Sequence, residues 1–354
     1  MHPIRHLPRS LAMLAVCALI LAACGAAPAA APAVPAEPTA APATPGELVV
    51  YSGRGESLVG PLIEQFSNDT GIKVSVRYGD TAEMAALILE EGNNSPADVY
   101  YGQDAGALGA LAAADRLTPL PAETLNLVET RFRSPEGLWI GTSGRARVAV
   151  YNTTNLTEAD LPASIDGFTD PKWKGRIGWA PTNGSFQAFI TAYRVVKGEE
   201  AARAWLDGMQ ANEPKVYENN TSIVQAAADG EIDVGLVNHY YLYRFLTEQG
   251  TEFAARNYYL RDGDVGALVN IAGVGILNTS KNRSTAEIFV NYLLSPKAQQ
   301  YFSDNTYEYP LIPGIQVNPI LTPLDQIATP QIDLSTLEDL EGTLMLLQDT
   351  GVLK

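Results

Sequence analysis

Two adjacent tyrosines, Tyr240 and Tyr241, are the residues of this sequence with the clearest potential for chemistry. They follow an apolar stretch at 232–237 that has the character of a buried strand. Open α/β sheets bind ligands at the carboxyl ends of their strands, so we expect the pair at a ligand site. A deprotonated phenol is a hard anionic donor that suits a hard trivalent cation. The alternative is that the two rings pack at a surface with satisfied hydroxyls.

Strands and helices alternate along the part of the chain that must position this pair. We predict strands at 47–51, 72–78, 97–101, 146–151, 176–179, 232–237 and 270–277. Helices are predicted at 58–66, 81–89, 105–114, 186–196, 199–209, 222–228 and 285–294. Asp80 to Glu83 resembles a capping box that opens the second helix. The alternation predicts a parallel, doubly wound sheet.

The pattern indicates two α/β lobes that are joined by crossing strands, with a cleft between them. We assign 47–147 and 271–312 to one lobe, and 148–270 and 313–354 to the other. A body of about 300 residues is long enough for two lobes. A single large α/β domain is compatible with the same periodicity.

The first residues have the composition of targeting and tether segments. Residues 1–24 combine positive charge with an apolar stretch that is too short to span a bilayer, which predicts a secretory signal. The signal ends in Leu-Ala-Ala-Cys, which resembles a lipobox and predicts lipidation of Cys24. An ordinary secretory signal with a nearby cleavage site is the alternative. Residues 25–46 are rich in Ala, Pro and Thr and predict an extended tether.

Composition excludes several classes of function. The chain has two cysteines, Cys17 and Cys24, and three histidines, of which only His239 follows the signal. The body therefore has no disulfide, and it has no zinc site of the Cys/His kind. A net charge of −16 argues against binding to nucleic acid. We find no nucleophile elbow, no His-Glu-x-x-His and no phosphate-binding loop, so we do not expect an enzyme.

Seven stretches, which run in order through the whole body, resemble the ferric-iron-binding proteins of bacterial iron ABC importers. They are Val50-Tyr51-Ser52-Gly53-Arg54, Ser95-Pro96-Ala97-Asp98-Val99, Ser143-Gly144-Arg145-Ala146-Arg147-Val148, Pro171-Lys172-Trp173-Lys174-Gly175-Arg176-Ile177-Gly178, Pro181-Thr182-Asn183-Gly184-Ser185, Asn238-His239-Tyr240-Tyr241 and Tyr307-Glu308-Tyr309-Pro310-Leu311. The resemblance implies a two-lobed, type II periplasmic-binding-protein (Venus-flytrap) fold that carries Fe(III) in its cleft.

The resemblance places Tyr240 and Tyr241 on the family's tyrosinate ligands. A free phenol has a pKa of about 10. A bound trivalent cation is the largest local charge and should expel the phenolic protons. We therefore expect iron affinity to fall steeply on acidification.

A synergistic anion, carbonate or phosphate, often completes the iron site in this family. Asn183, Gly184 and Ser185 stand where a strand turns into a helix, and backbone N–H groups at such a turn can bind an anion. Matching the family's anion contacts adds three further residues: Arg145, Asn220 and Asn238. Alternatively, these residues serve as helix caps, turn residues and a surface ion pair.

The sequence departs from the family at two ligand positions. Some relatives place histidine, or histidine and tyrosine, where this chain has Gly55 and Glu56, and the family's acidic ligand falls on Gln103. We therefore predict a metal site of Tyr240 and Tyr241 with Gln103 and Glu56 as weaker oxygen donors. His239 is expected to lie outside the ligand set. The remaining tyrosines near the cleft are expected only to pack: Tyr51, Tyr100, Tyr101 and Tyr243.

The signal, lipobox and tether predict an extracytoplasmic protein that is anchored by lipid at the outer face of the cytoplasmic membrane, or that lies in the periplasm. The resemblance further implies a monomeric carrier. Its partners would be iron, the anion and an ABC permease driven by a separate ATPase. Because a fold does not fix a ligand, the same fold could carry another solute, such as a polyamine, thiamine, sulfate or an organic anion.

Overall fold

The computed structural model describes residues 46–353 of the chain. The predicted signal at 1–24, its Cys24, and all but the last residue of the predicted tether at 25–46 lie outside the described residues. Within residues 46–353, no helix has both the length and the apolar character that crossing a membrane requires.

Ten strands form one sheet in the described part of the chain. They are β1 (Glu47–Ser52), β2 (Lys73–Tyr78), β3 (Val99–Gly102), β4 (Leu117–Thr118), β5 (Ile140–Asn152), β6 (Ile177–Trp179), β7 (Lys215–Val216), β8 (Val234–Asn238), β9 (Ala255–Tyr258) and β10 (Val269–Leu277). The main path of the sheet runs β2-β1-β3-β10-β5-β8-β6-β7, while β4 pairs with β10 and β9 pairs with β5.

Helices connect most of these strands. They are α1 (Glu56–Thr70), α2 (Thr81–Glu91), α3 (Ala105–Ala113), α4 (Ala122–Leu125), α5 (Gly184–Lys197), α6 (Glu199–Ala211), α7 (Asn220–Ala228), α8 (Tyr240–Gln249), α9 (Arg283–Leu293), α10 (Pro296–Asn305) and α11 (Leu340–Asp349). The predicted capping box forms at the start of α2, where Asp80 and Glu83 cap each other's backbone groups.

The long strand β5 joins the two halves of the sheet. Up to Ala146 it pairs antiparallel with β10, and from Arg147 onward it pairs antiparallel with β8. Within each half, β1 is parallel to β2 and β3, and β6 is parallel to β7 and β8. The two-lobed fold with crossing strands is confirmed, whereas the boundaries of the lobes stay a prediction.

The prediction of a parallel sheet is correct inside each half and wrong for the pairs made by β5 and β10. The alternation of strands and helices does not fix the direction of β5 and β10, because both strands pair with partners that are distant in sequence. The first half of β5 was missed because Thr142, Ser143 and Gly144 lack apolar alternation, although all three are buried. The pattern also missed β9, α8, α10 and α11.

The C-terminal segment contacts helices of both halves. Its short helical turn Leu334–Glu338 lies directly on α3, where a Cβ added to Gly109 would come within 2.8 Å of the Cβ of Glu338. On its other side, the hydroxyl of Thr343 in α11 lies 2.7 Å from that of Thr191 in α5. Glycine at 109 is therefore required by close packing rather than by backbone conformation.

We predict that Gly109→Ala lowers the free energy of unfolding. Overpacking of this kind costs about 1–3 kcal/mol, whereas alanine gains at most about 1 kcal/mol in helix propensity. Urea unfolding, followed by circular dichroism, measures the difference. Gly55→Ala is the matched control, because a Cβ at Gly55 meets nothing within 4 Å. A Gly109→Ala protein more stable than wild type would contradict the packing that the structure shows.

Candidate functional site: a buried tyrosine pair between the halves of the sheet

Tyr240 and Tyr241 are the first two residues of α8, which begins directly after β8 and His239. Their rings stack, with centroids 4.2 Å apart and planes inclined by 29°. Tyr240 has no exposed surface and Tyr241 is 9% exposed. The pair is thus buried at the N-terminus of a helix, where the helix dipole favours negative charge.

The hydroxyl of Tyr240 has no hydrogen-bond partner within residues 46–353. A buried polar group that is left unpaired costs about 1–3 kcal/mol, so a ligand at this oxygen would remove a penalty. Burial, and then the charge of Tyr240, raises the pKa of Tyr241 well above its ordinary value. A bound cation would reverse this shift, because it stabilises the ionised phenol.

Arg54, which follows β1, belongs to the first half of the sheet and interacts electrostatically with the tyrosine pair. Its Nη2 donates to Oε2 of Glu308 at 2.7 Å, and both side chains are fully buried. Burial is the largest single effect and lowers the pKa of Arg54, but the charges of Glu308 and of nearby phenols together outweigh it and the pKa is raised. The phenols add to the same effect, in the order Tyr240, Tyr101 and Tyr241. One guanidinium therefore lies within electrostatic reach of phenols from both halves.

Tyr101 on β3, assigned only to packing by the sequence pattern, lies beside this guanidinium. Burial raises the pKa of Tyr101 to about 12, against the lowering effect of Arg54. Sequence reasoning also missed Arg54 and Glu308 as site residues. One feature of the sequence could have identified Glu308: its carboxylate stands between Tyr307 and Tyr309. A carboxylate that is buried among aromatic residues needs a cationic partner.

Two further arginines lie on β5 at the point where it changes partner. Nη2 of Arg145 donates to the carbonyl oxygen of Ile271 at 3.0 Å, and its Nε and Nη1 have no partner in the described chain. Burial, followed by the charge of Arg145, lowers the pKa of Arg147 to about 9, while Tyr241 and Tyr240 act to raise it. Two buried cations that repel each other thus stand near the tyrosines.

The predicted anion-binding asparagines come from three elements of the second half. Asn183 caps α5, and its Oδ1 accepts hydrogen bonds from the backbone N of Ser185 at 3.1 Å and from Nδ2 of Asn220 at 3.2 Å. Asn238, the last residue of β8, pairs in register with Arg147, and its buried Nδ2 has no partner among the described residues. The structure therefore brings Asn183, Ser185 and Asn220 together and leaves a free donor on Asn238.

The start of α5 approaches the first half of the sheet at Gly184. A Cβ on Gly184 would lie 3.0 Å from Oδ2 of Asp104. Asp104 is buried and caps α3 through Oδ1, while its Oδ2 has no partner within residues 46–353. Burial raises the pKa of this carboxyl. Gln103, the predicted ligand, is buried with an unpaired Nε2, and the carboxylate next to it in the chain is that of Asp104.

The structure does not bring Glu56 together with the tyrosine pair. Glu56 is exposed at the start of α1, where its charge adds to burial in raising the pKa of Tyr78. No hydrogen bond of the described chain joins Glu56 to Tyr240 or Tyr241. A helix N-terminus favours an acidic residue on its own account, and the ligand role of Glu56 stays a prediction.

His239 lies beside the pair, with its ring centroid 5.8 Å from that of Tyr240 and the two planes at 85°. Its Nδ1 accepts a hydrogen bond from the backbone N of Ala146 at 3.1 Å, and its ring stacks on Tyr309 with centroids 4.8 Å apart. Burial lowers the pKa of His239 to about 3, so the imidazole is neutral near pH 7. That His239 lies outside the ligand set stays a prediction.

The donor types at this site restrict what it can bind. Within residues 46–353, no three His, Cys, Asp or Glu side chains are placed to hold a metal together. A metal here would depend on phenolic oxygens and on oxygens brought by an accompanying anion. The buried guanidinium and amide N–H groups are suited to that anion.

Comparisons with known proteins place the chain among solute carriers. The family model for bacterial extracellular solute-binding proteins matches residues 85–329. The chain is 38% identical over 311 residues to the major ferric iron-binding protein of Neisseria meningitidis serogroup B, which covers 86% of this chain and 93% of the relative. It is 35% identical over 310 residues to the Fe(3+)-binding periplasmic protein of Serratia marcescens, covering 86% and 90%.

A solved structure gives the same result for the fold. Iron-bound HitA from Pseudomonas aeruginosa is similar to this chain with a TM-score of 0.83 at 37% identity. The match covers 87% of this chain and 100% of HitA.

We predict that His239 makes the stability of the iron-free protein depend on pH. Its folded pKa of about 3 lies below the ordinary value of 6.5. Between these pH values the unfolded chain binds the proton and the folded chain does not, so the unfolding free energy falls as pH falls. The slope is about 1.4 kcal/mol per pH unit.

Urea unfolding at pH 7.5 and pH 5 measures this effect. Wild type should lose about 2 kcal/mol more than His239→Asn, which keeps an acceptor for Ala146 but cannot bind the proton. The other two histidines, His2 and His6, lie in the predicted signal. A protein produced without residues 1–24 therefore contains only His239, and the comparison reports on this histidine alone. An identical pH dependence in both proteins would refute the prediction.

Proposed function

The chain belongs to the family of bacterial extracellular solute-binding proteins that includes the ferric-iron-binding proteins, and on that premise we propose that it captures Fe(III) with Tyr240 and Tyr241. It is a solute-binding protein and not an enzyme. The stacked, buried pair with an unpaired Tyr240 hydroxyl carries the proposal. Two phenolates supply hard, anionic oxygens to a hard cation, and their burial excludes competing water.

A synergistic anion, carbonate or phosphate, completes the proposed site. Its supports are the capped start of α5 at Asn183, Gly184 and Ser185, the amide groups of Asn220 and Asn238, and the guanidinium of Arg145. The unpaired N–H groups of Arg145 and Asn238 favour this assignment, because an oxyanion gives each of them an acceptor. Gln103 and Asp104 stand on the opposing wall as further oxygen donors.

Capture would proceed by closure of the two halves. The second half carries the tyrosine pair on α8 and the asparagines on α5, α7 and β8, while the first half carries Arg54, Tyr101 and Asp104. Hinge motion about β5 and β10 would bring the two sets together over the ion. The loaded monomer would then deliver iron to an ABC permease in the membrane that is driven by a separate ATPase.

A different solute on the same fold is the second candidate, and the buried arginines restrict which one. Arg54, Arg145 and Arg147 would repel a polyamine or thiamine, because those solutes are cationic. They favour sulfate or an organic anion instead. Titration calorimetry with ferric citrate, citrate alone and sulfate separates the cases. Equal heats with and without iron would favour the anion carrier.

We predict that iron loading produces a visible phenolate-to-iron charge-transfer band, which Tyr240→Phe/Tyr241→Phe abolishes. The double variant keeps the ring volumes and removes both oxygens, so the fold should persist while iron affinity falls by at least about 100-fold. Absorption spectra during titration with ferric citrate report both quantities. Tyr243→Phe is the matched control, since Tyr243 is a buried tyrosine of the same helix whose ring faces His239 and Tyr307. A colourless wild-type protein in excess iron would overturn the ligation.

We further predict that Cys24 anchors the protein by lipid. Cys24→Ala should leave the chain in the soluble fraction, whereas wild type should partition into detergent with an added acyl mass. Two acyl chains anchor a protein stably and one does so only marginally, so mass spectrometry should count them. If wild type is soluble and carries no acyl group, an ordinary secretory signal replaces the lipobox.

A further inference from the structure

The buried ion pair of Arg54 and Glu308 stands beside the proposed iron ligands. Nη2 of Arg54 lies 2.7 Å from Oε2 of Glu308, and neither side chain has exposed surface. The hydroxyl of Thr306 donates to the same carboxylate oxygen at 2.9 Å. Removing two charges from water is costly, so such a pair adds little to stability by itself. Its position calls for another explanation.

The guanidinium of Arg54 is only partly used by this pair. Its Nε and Nη1 have no hydrogen-bond partner within residues 46–353, and neither has the hydroxyl of Tyr240. Tyr309, the neighbour of Glu308 in the chain, stacks on His239 with ring centroids 4.8 Å apart, and the His239 ring lies 5.8 Å from that of Tyr240. The unused donors of Arg54 therefore lie in the same buried region as the unused hydroxyl of Tyr240.

We propose that Arg54, held in place by Glu308, is a positioning residue for the ferric ion. Its free N–H groups donate to the Tyr240 phenolate or to the oxyanion on the iron, and so fix the oxygens that the metal binds. A phenolate oxygen bound to a metal keeps a lone pair that can accept such a hydrogen bond. Glu308 aims the guanidinium and cancels its charge, so that the trivalent cation is not repelled. This inference rests on the function proposed above.

The sequence departures explain why such a residue is needed here. This chain has neither a histidine nor an acidic residue at positions 55 and 103, where Gly55 and Gln103 stand. Fewer protein ligands leave the bound oxygens less constrained. Groups that hydrogen-bond to metal ligands orient them, and removing such groups typically costs about 10–100-fold in metal affinity. Arg54 supplies this support from the half of the sheet that does not carry the tyrosine pair.

The test uses the full chain with Arg54→Gln/Glu308→Gln, Arg54→Lys and Glu308→Gln. The double variant replaces the ion pair with two neutral amides, so the melting temperature of the iron-free protein should change little. Its iron affinity, measured by competition with citrate, should fall about 10–100-fold. The charge-transfer band should move to longer wavelength, because a phenolate without its cationic donor is more easily oxidised by the iron.

The remaining variants separate positioning from folding. Arg54→Lys keeps a positive charge and a hydrogen-bond donor. Its charge-transfer band should therefore lie closer to the wild-type wavelength than the band of the double variant does. Glu308→Gln leaves the positive charge of Arg54 without its partner. This charge should then repel the ferric ion and weaken iron binding, even though Arg54 is present. Arg176→Gln/Asp233→Asn removes a partly exposed ion pair on another surface and should change neither readout.

The outcomes distinguish the two proposals. If wild type shows no charge-transfer band, tyrosinate ligation fails, and the role of Arg54 fails with it. If wild type shows the band and the double variant keeps both band position and affinity, only the assignment of Arg54 is overturned. An affinity loss that follows a lower melting temperature, with the band unmoved, would make the pair purely structural and would also overturn the assignment.

Discussion

The site depends on the burial of ionisable groups where the two halves of the sheet meet. Buried groups are shielded from bulk water, so each phenol, carboxylate and guanidinium must find a partner or leave an unfavourable free energy. Tyr240, Arg54, Arg145 and Asp104 each retain an atom without a partner among the described residues. A concentration of unpaired buried groups in an otherwise well-packed protein is the physical sign of a ligand site.

The sheet explains why these groups converge. β5 changes partner from β10 to β8 at Ala146 and Arg147, so the arginines on either side of this change face the junction. β8 ends in the same region and delivers the tyrosines through the first turn of α8. The start of α5 closes against the first half at Gly184, where the absence of a side chain permits the approach. Ligand sites of open α/β sheets arise at such topological junctions.

The sequence was sufficient for features that depend on local patterns. The capping box of α2, most strands and the placement of Tyr240 and Tyr241 after a buried strand all followed from periodicity or spacing. The antiparallel pairing of β5, the partnership of Arg54 with Glu308 and the exposure of Glu56 could not be predicted in this way. Each depends on contacts between distant residues, and the pattern of polar and apolar residues does not encode which charges meet.

The charges at the junction also restrict the cargo. Three buried cations, Arg54, Arg145 and Arg147, face two buried carboxylates, Glu308 and Asp104. A solute that is only cationic would add to this positive excess, and one that is only anionic would pair the guanidinium groups but bring no cation to the phenols. In the function that we propose, a trivalent metal with its own oxyanion meets both requirements, because the phenolic oxygens bind the metal while the anion accepts from the arginines. The anion is then part of the proposed cargo, and Arg54 is the residue through which the first half of the sheet would contact it.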